Sequence, residues 1–158
     1  MTIDVWRIHI EHDGLEPQSV TVEELRSLGG EVFPISERVA GASGLAVDFR
    51  SWYIQWRSLM DPSGTAPEPM TLKVRAKDTF AAQIPWTQLE GAAFGIADND
   101  GGPLSRGGPV RLYVPAGTSD CLHVKQLVAL QFDQAALPAG EAAYGFKNVF
   151  APEELRKG

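Results

Sequence analysis

The stretch Pro103–Phe132, PLSRGGPVRLYVPAGTSDCLHVKQLVALQF, decides the fold, because it sets a glycine-rich turn before one strand and a polar loop before a second. Val110–Val114 and Val124–Phe132 are rich in the branched and aromatic residues that strands favour. Gly107 and Gly108 let the backbone of the turn approach a ligand closely, since glycine carries no Cβ. The stretch therefore predicts two strands whose connecting loops suit a binding site.

Three cations in this stretch are candidates for holding a small anion. Arg106, Arg111 and Lys125 offer the charge and the N–H donors that suit a phosphate group, and His123 adds a further polar group. The alternative interpretation is that Gly107 only makes a turn and that the arginines are solvated flanks of a strand. The sequence leaves both interpretations open for each residue.

Short strands and helical segments surround this stretch. The strands predicted from alternation or from short apolar runs are Val5–Ile10, Glu31–Ile35, Met70–Ala76, Thr79–Ile84 and Ala92–Ala97. Thr21 and Glu24 form a capping box that predicts a helix over Val22–Leu28. Phe49–Leu59 fits neither period cleanly and is left open between helix and strand. The predicted class is α+β, mainly β in mixed sheets with short helices.

Length, charge and cysteine content narrow the class of protein. The 158 residues, 44% of them hydrophobic, predict a domain over 1–133 and a tail over 134–158 that packs on it or trails from it. The formal net charge of -6 argues against nucleic acid or an anionic membrane as a partner. The single cysteine, Cys121, excludes an internal disulfide and a multi-thiolate metal site, which is typical of a reducing compartment. Residues 1–14 lack the apolar run of a secretory signal and no segment has the length of a spanning helix, so we expect a cytoplasmic protein.

The order of these segments resembles the molybdopterin-binding domain of the sulfite oxidase and methionine-sulfoxide-reductase family over Val5–Phe132. The most specific part is 98–115, DNDGGPLSRGGPVRLYVP, which is similar to the family's turn followed by its Arg-Leu and Val-Pro pairs. Lys77–Pro85 is similar to the family's hairpin, with Thr79 standing where glycine is usual. Lys125 matches a lysine that lies beside the pterin phosphate or pyrophosphate in the family.

The resemblance implies a sulfite-oxidase-type fold, a molybdopterin cofactor and a pocket formed by the loops around the two final strands. Together with the chemistry of the side chains, it assigns a set of candidate cofactor-binding residues. These are Arg106, Gly107, Arg111, Cys121, His123 and Lys125.

The family's metal ligand is missing from this chain. In the family, a cysteine thiolate holds molybdenum between the first helix and a tryptophan-containing element, which corresponds here to Trp52–Trp56. The stretch 32–44, VFPISERVAGASG, contains no cysteine. Neither an alkyl group nor a neutral hydroxyl reproduces the charge and bond strength of a thiolate, which argues against standard sulfite-oxidase chemistry and leaves no metal ligand assigned. For Ser36, an alkoxide ligand is the alternative to a local hydrogen-bonding role.

The remaining reactive side chains have structural alternatives. Cys121, four residues before Lys125, is either a small buried hydrophobe, a thiol activated by its neighbours, or a substitute metal ligand. His9, His12 and His123 lack the spacing of a metal site and are predicted to lie on the surface. The carboxylates and aromatic rings interpreted as turn and core residues are Asp98, Asp100, Phe49, Trp52, Tyr53 and Trp56.

Two hypotheses of function follow, with a third kept as an alternative. The first is a protein that binds molybdopterin or a related phosphorylated pterin. The second is a cofactor-free relative whose pocket is closed by side chains and which acts as a protein-interaction module. The third is a molybdopterin-dependent oxidoreductase in which Ser36 or Cys121 replaces the usual ligand. The expected partners are a small phosphorylated ligand and, for any electron transfer, a separate redox protein.

Overall fold

A computed structural model describes residues 6–117, 123–134 and 143–146 of the chain. Within these residues, ten strands form a six-stranded and a four-stranded sheet, accompanied by two α-helices and two short 3₁₀ turns. The strands are β1 (Arg7–His12), β2 (Gln18–Thr21), β3 (Phe33–Pro34), β4 (Leu45–Asp48), β5 (Thr71–Ala76), β6 (Phe80–Pro85), β7 (Ala93–Ala97), β8 (Arg111–Tyr113), β9 (Leu127–Asp133) and β10 (Ala143–Phe146). The helices are α1 (Val22–Ser27) and α2 (Phe49–Met60), and the 3₁₀ turns are Ile35–Glu37 and Trp86–Leu89. The predicted α+β class, mainly β, is confirmed.

The larger sheet has the order β10-β6-β5-β9-β1-β2. Its β5–β6 hairpin is the one predicted from alternation, and the buried side chains of β5 face the core at every second position. β9 lies between β5 and β1, antiparallel to the first and parallel to the second. β10 pairs antiparallel with β6, so part of the stretch predicted to be a tail forms a strand at the edge of this sheet.

The smaller sheet has the order β3-β4-β7-β8 and carries the candidate site at its β8 edge. Every residue of β7 is buried, as the short apolar run predicted. β8 is shorter than the predicted strand 110–114. Leu112 in β8 forms an isolated antiparallel bridge with Val124, which ties the loop before β9 to the edge of this sheet.

The segment Phe49–Leu59 is helical. Asp48 caps α2, because its side chain accepts a hydrogen bond of 2.8 Å from the amide of Ser51. The four aromatic residues that recur with helical spacing, Phe49, Trp52, Tyr53 and Trp56, are all at most 5% exposed. They pack on Phe132 of β9 and join the two sheets in one core, as their interpretation as core residues predicted.

The predicted capping box at the start of α1 is confirmed. The Thr21 hydroxyl accepts from the amide of Glu24 at 3.1 Å, and the Glu24 carboxylate accepts from the amide of Thr21 at 2.9 Å. The helix ends at Ser27 with Leu28 as its C-cap, and Gly30 follows with φ +76°.

The prediction that His12 lies on the surface is wrong, whereas His9 is exposed as predicted. β1 continues two residues beyond Ile10, so alternation turns the His12 side chain into the core, where it is 5% exposed. Its Nδ1 donates to the carbonyl of Asp13 at 2.8 Å, and the Tyr53 hydroxyl donates to its Nε2 at 2.7 Å. The buried ring is therefore fully hydrogen-bonded, which removes the cost of burying it.

A loop after α2 is held by Arg57, which is only 14% exposed. Its guanidinium donates to the Tyr53 hydroxyl at 3.0 Å and contacts the carboxylates of Asp61 at 3.3 Å and Glu68 at 3.2 Å. Asp61 also accepts from the amides of Thr65 and Ala66. No helix within 6–117, 123–134 and 143–146 is long and apolar enough to cross a membrane.

Candidate functional site

An open cleft of about 850 Å³ lies beside β8. Three segments line it: the loop before β4, the turn after β7 and β8 itself, joined by His123. Its lining residues are Val39, Ala40, Gly41, Ala42, Ser43, Asp98, Asn99, Asp100, Leu104, Ser105, Arg106, Arg111, Tyr113 and His123. We call it the first cleft.

The wall formed by the turn after β7 is held by its own side chains. Asp98 accepts a hydrogen bond of 3.0 Å from the amide of Ser105, and Asp100 accepts one of 2.8 Å from the amide of Gly102. Both carboxylates therefore act as turn-forming groups, as the sequence predicted. The carbonyl of the Asn99 side chain accepts from the amide of Gly44 at 2.9 Å and so links this wall to the opposite one.

The opposite wall is the loop 39–43, which has no side chain larger than valine. Arg38 fixes its start by contacting the Asp48 carboxylate at 2.6 Å and the carbonyl of Gly91 at 3.0 Å. Burial alone would raise the pKa of Asp48, but the Ser51 amide and Arg38 outweigh it and hold that pKa below its usual value. Gly44 fixes the end of the loop, because a Cβ there would lie 2.7 Å from the Ala97 carbonyl oxygen.

Arg111 is held in a defined position in the first cleft. Its guanidinium stacks on the ring of Tyr113, with Cζ 4.7 Å from the ring centroid. Tyr113 is 4% exposed and rests on Gly95, where a Cβ would lie 2.8 Å from the Tyr113 ring. The one hydrogen bond of the guanidinium is a long contact of 3.4 Å with the carbonyl of Arg106, and its buried Nε has no partner among the described residues. An anion in the cleft would bind the terminal N–H groups of this guanidinium.

Gly107 brings a second cation beside Arg111. A Cβ at Gly107 would lie 3.0 Å from Cδ of Arg111 and 3.0 Å from Cγ of Lys125, so both side chains pass directly over this glycine. Gly107 also has φ +71°, a backbone conformation that glycine adopts more readily than other residues. Within the described part of the chain, no carboxylate lies at ion-pair distance from Arg106, Arg111 or Lys125. We call the surroundings of Gly107 the junction.

A second cleft of about 460 Å³ begins at the junction. It lies between the turn of the β5–β6 hairpin and the segment before β9, and shares His123 with the first cleft. Its lining residues are Ala76, Asp78, Phe80, Gly107, His123, Val124, Lys125 and Gln126. The two clefts therefore lie on either side of His123.

His123 stands between the clefts in a defined orientation. Its Nδ1 accepts a hydrogen bond of 2.9 Å from the amide of Val114, so that nitrogen carries no proton. The ring packs on Tyr113 with centroids 5.5 Å apart. His123 is partly buried rather than on the surface as predicted, because the bridge of its neighbour Val124 to Leu112 holds it against β8.

The structure thus brings five of the six candidate binding residues to one place, while the sixth, Cys121, lies outside the described residues. Arg106, Arg111 and His123 line the first cleft. Gly107 and Lys125 line the second, together with His123. Ser36, the alternative metal ligand, is exposed on the turn Ile35–Glu37 and lines neither cleft.

The described residues do not fit a molybdenum centre of the family's type. They contain no cluster of three or more His, Cys, Asp or Glu side chains that would hold a metal ion. The donors at the junction are N–H groups of cations, which bind phosphate oxygens and not metals. The site therefore suits the anionic end of a cofactor.

Two functional features escaped the sequence analysis. Tyr113 was treated only as part of a strand, although its ring orients both Arg111 and His123. Nothing in the sequence of the small-residue loop 39–43 indicated that it lies opposite Arg111. The alternation of β8 carries a partial signal, because it places Arg111 and Tyr113 on the same face.

No family model matches the chain. No curated protein matches it either. Among solved structures, the fold is similar to the sulfane dehydrogenase SoxCD of Paracoccus pantotrophus, with a TM-score of 0.56 and 17% sequence identity. The similarity covers 88% of this chain and 44% of the SoxCD chain, so this chain spans less than half the length of that neighbour. The likeness agrees with the fold that the sequence resemblance implies, and at this identity it concerns the fold alone.

Proposed function

We propose that this protein binds a small phosphorylated ligand of the pterin type, with the phosphate seated at the junction. The observation that carries the proposal is the state of Arg111 in the first cleft: among the described residues, its guanidinium has no carboxylate beside it and no hydrogen bond except a 3.4 Å contact with a carbonyl. Leaving a buried charged donor unsatisfied is costly, so such a group is expected where a ligand completes it.

Two comparisons within the chain support this interpretation of Arg111. Arg38 and Arg57 are also partly buried, and each contacts a carboxylate of the protein. Arg50 has a buried Nε without a partner, as Arg111 does, but donates to the carbonyl of Trp86 at 2.7 Å. Of these four, only Arg111 lines either of the two clefts, and it has nothing shorter than its 3.4 Å contact within the described residues.

The pterin part of the proposal rests on the resemblance and on the fold. Its support is the likeness to the sulfane dehydrogenase SoxCD and the arrangement of Gly107 and Lys125, the latter matching the lysine beside the family's pterin phosphate. When bound, molybdopterin would supply its own redox chemistry, and the role of this chain would be to hold and orient its phosphate. The open first cleft supports ligand binding over an interaction module with a closed pocket.

A calorimetric titration with inorganic pyrophosphate tests the phosphate seat. Arg111→Ala and Lys125→Ala should each weaken binding by about 1.5 to 3 kcal/mol, the cost of losing a charge-assisted hydrogen bond. Arg7→Ala removes the same charge from the exposed face of β1, away from both clefts, and should leave the affinity unchanged. Equal loss in all three variants would show that only net charge matters and would contradict the proposal.

A further inference from the structure

We infer that the second cleft receives the planar heterocyclic part of the ligand, with the Asp78 carboxylate pairing with the donor edge of the ring. This inference rests on the proposed function, because it takes the phosphate to lie at the junction. It assigns the ring and the phosphate of one molecule to two sides of Gly107. The first cleft is then left for whatever reacts with, or binds beside, that molecule.

The lining of the second cleft suits a flat, mostly apolar ring. Ala76, Phe80 and Val124 supply apolar surface, while Lys125 stands at the entrance from the junction. The volume of about 460 Å³ lies within the roughly 300 to 1,000 Å³ of small-molecule sites. An aromatic side chain beside a slot of this size favours a stacked ring over a flexible chain.

Asp78 supplies the acceptor that a pterin edge requires. Its Oδ1 accepts a hydrogen bond of 3.1 Å from the amide of Phe80, and it makes no ion pair within the described residues. A pterin presents two parallel N–H donors, from the ring nitrogen and the amino group of its pyrimidine half. A carboxylate accepts two such donors side by side, and the charge makes both hydrogen bonds stronger than those of an amide.

The rim of the second cleft is fixed by strained backbone. Within the described residues, Thr79 with φ +74° and Gln126 with φ +48° are the two non-glycine residues of positive φ. Gln126 lines this cleft, and Thr79 lies in the chain between its lining residues Asp78 and Phe80. Gln126 ties the rim together, since its amide donates to the Gly107 carbonyl at 2.7 Å and its carbonyl accepts from Lys77 at 3.0 Å. Strain of this kind persists where the surroundings enforce it, and it concentrates at ligand sites.

A fluorescence titration with neopterin, a pterin without phosphate, tests the inference. Asp78→Asn keeps an oxygen for the Phe80 amide but replaces the second acceptor by a donor, so affinity should fall about tenfold to a hundredfold. Asp100→Asn is the matched control, because Asp100 makes the same kind of contact with the amide two residues on, but lines the first cleft. It should bind neopterin as the unaltered protein does.

Three results would overturn the inference: neopterin affinity unchanged in Asp78→Asn, an equal loss in Asp100→Asn, or no neopterin binding to a protein that binds pyrophosphate. Thermal melting of each variant confirms that it folds. Arg111→Ala separates the two proposals, since Arg111 does not line the second cleft, so this variant should lose pyrophosphate affinity and retain its neopterin affinity. Failure of pyrophosphate binding with neopterin binding still dependent on Asp78 would refute the phosphate seat and leave the ring subsite standing.

Discussion

Replacing Thr79 by glycine should stabilise the fold. Thr79 lies in the turn of the β5–β6 hairpin with φ +74°, a region that β-branched residues rarely adopt, and its amide donates to Ala76 at 3.1 Å. Releasing the strain of the left-handed backbone should stabilise the folded state by roughly 1 to 2 kcal/mol. The greater freedom of glycine in the unfolded chain should destabilise the folded state by roughly 0.5 to 1 kcal/mol. From the midpoints of the two ranges, the net gain is about 0.75 kcal/mol, or about 1.5 to 3 °C in melting temperature for a chain of this length.

Urea denaturation followed by circular dichroism measures this difference. Thr79→Ala is the matched control, because it removes the branch but keeps the Cβ that causes the strain, so it should gain less than Thr79→Gly. A Thr79→Gly protein that is no more stable than the original would show that the positive φ of Thr79 does not strain the fold. Equal gains in both variants would show that the β-branch of Thr79, and not its φ, lowers the stability.

The same substitution should act on the second cleft in the opposite direction. Glycine loosens the turn between Asp78 and Phe80, which both line the cleft, so neopterin affinity should fall several-fold while stability rises. The titration described for Asp78→Asn provides the measurement. An affinity that rises together with stability would contradict the view that the strained rim is preorganised for a ligand.

Three further predictions concern the scaffold around the clefts. Gly44→Ala should lower the free energy of unfolding by about 2 to 5 kcal/mol, because φ is +116° and the new Cβ would lie 2.7 Å from a carbonyl oxygen of β7. Chemical denaturation measures this change, and a loss below about 1 kcal/mol would contradict the close contact. Burial would raise the pKa of Asp61, but hydrogen bonds from backbone amides and from Arg57 outweigh that effect and lower the pKa below its ordinary value of 3.8. The ionised Asp61 carboxylate therefore stabilises the folded chain above pH 3.8, and this stabilisation is lost as the pH falls through the lowered pKa. Melting temperatures from pH 6 to pH 2 should therefore fall less in Asp61→Asn than in the unaltered protein, and parallel curves would argue against this role. Tyr113→Leu should weaken pyrophosphate binding by removing the surface on which Arg111 stacks, whereas Tyr113→Phe should not, and equal losses would implicate the hydroxyl instead.

The fold class and most strands could be predicted from local patterns, while α2 could not be distinguished from a strand. Its buried positions Phe49, Trp52, Tyr53 and Trp56 have the helical spacing, and Asp48 is a good cap. Exposed apolar residues at Ile54 and Leu59, with 62% and 58% exposure, obscured that spacing. The ambiguity is physical, because periodicity reports burial only when the exposed face is polar.

Other features depend on contacts between distant segments. The burial of His12 requires Tyr53, 41 residues away, to satisfy its Nε2, and no local pattern reports such a partner. β10 pairs with β6 at the edge of the larger sheet, although two of its four residues, Ala143 and Gly145, are of types that strands disfavour. Edge strands of this kind are set by the sheet they join.

For the candidate site, the sequence identified the cations but not their environment. Arg106, Arg111 and Lys125 were selected as charged residues near glycines, and the structure places them around Gly107. The division into two clefts at His123 follows from the bridge between β8 and the segment before β9, which is a tertiary contact. The role of Asp78 likewise depends on the hairpin turn facing that segment.

The pterin content of the purified protein tests the central claim most directly. The protein is made in a host that synthesises molybdopterin, and released pterin is oxidised and quantified by fluorescence for the unaltered chain, Arg7→Ala and the double variant Arg111→Ala with Lys125→Ala. We predict about one pterin per chain in the first two and at least tenfold less in the double variant. Absence of pterin from the unaltered protein, or equal content in all three, would contradict a phosphorylated pterin bound at the junction.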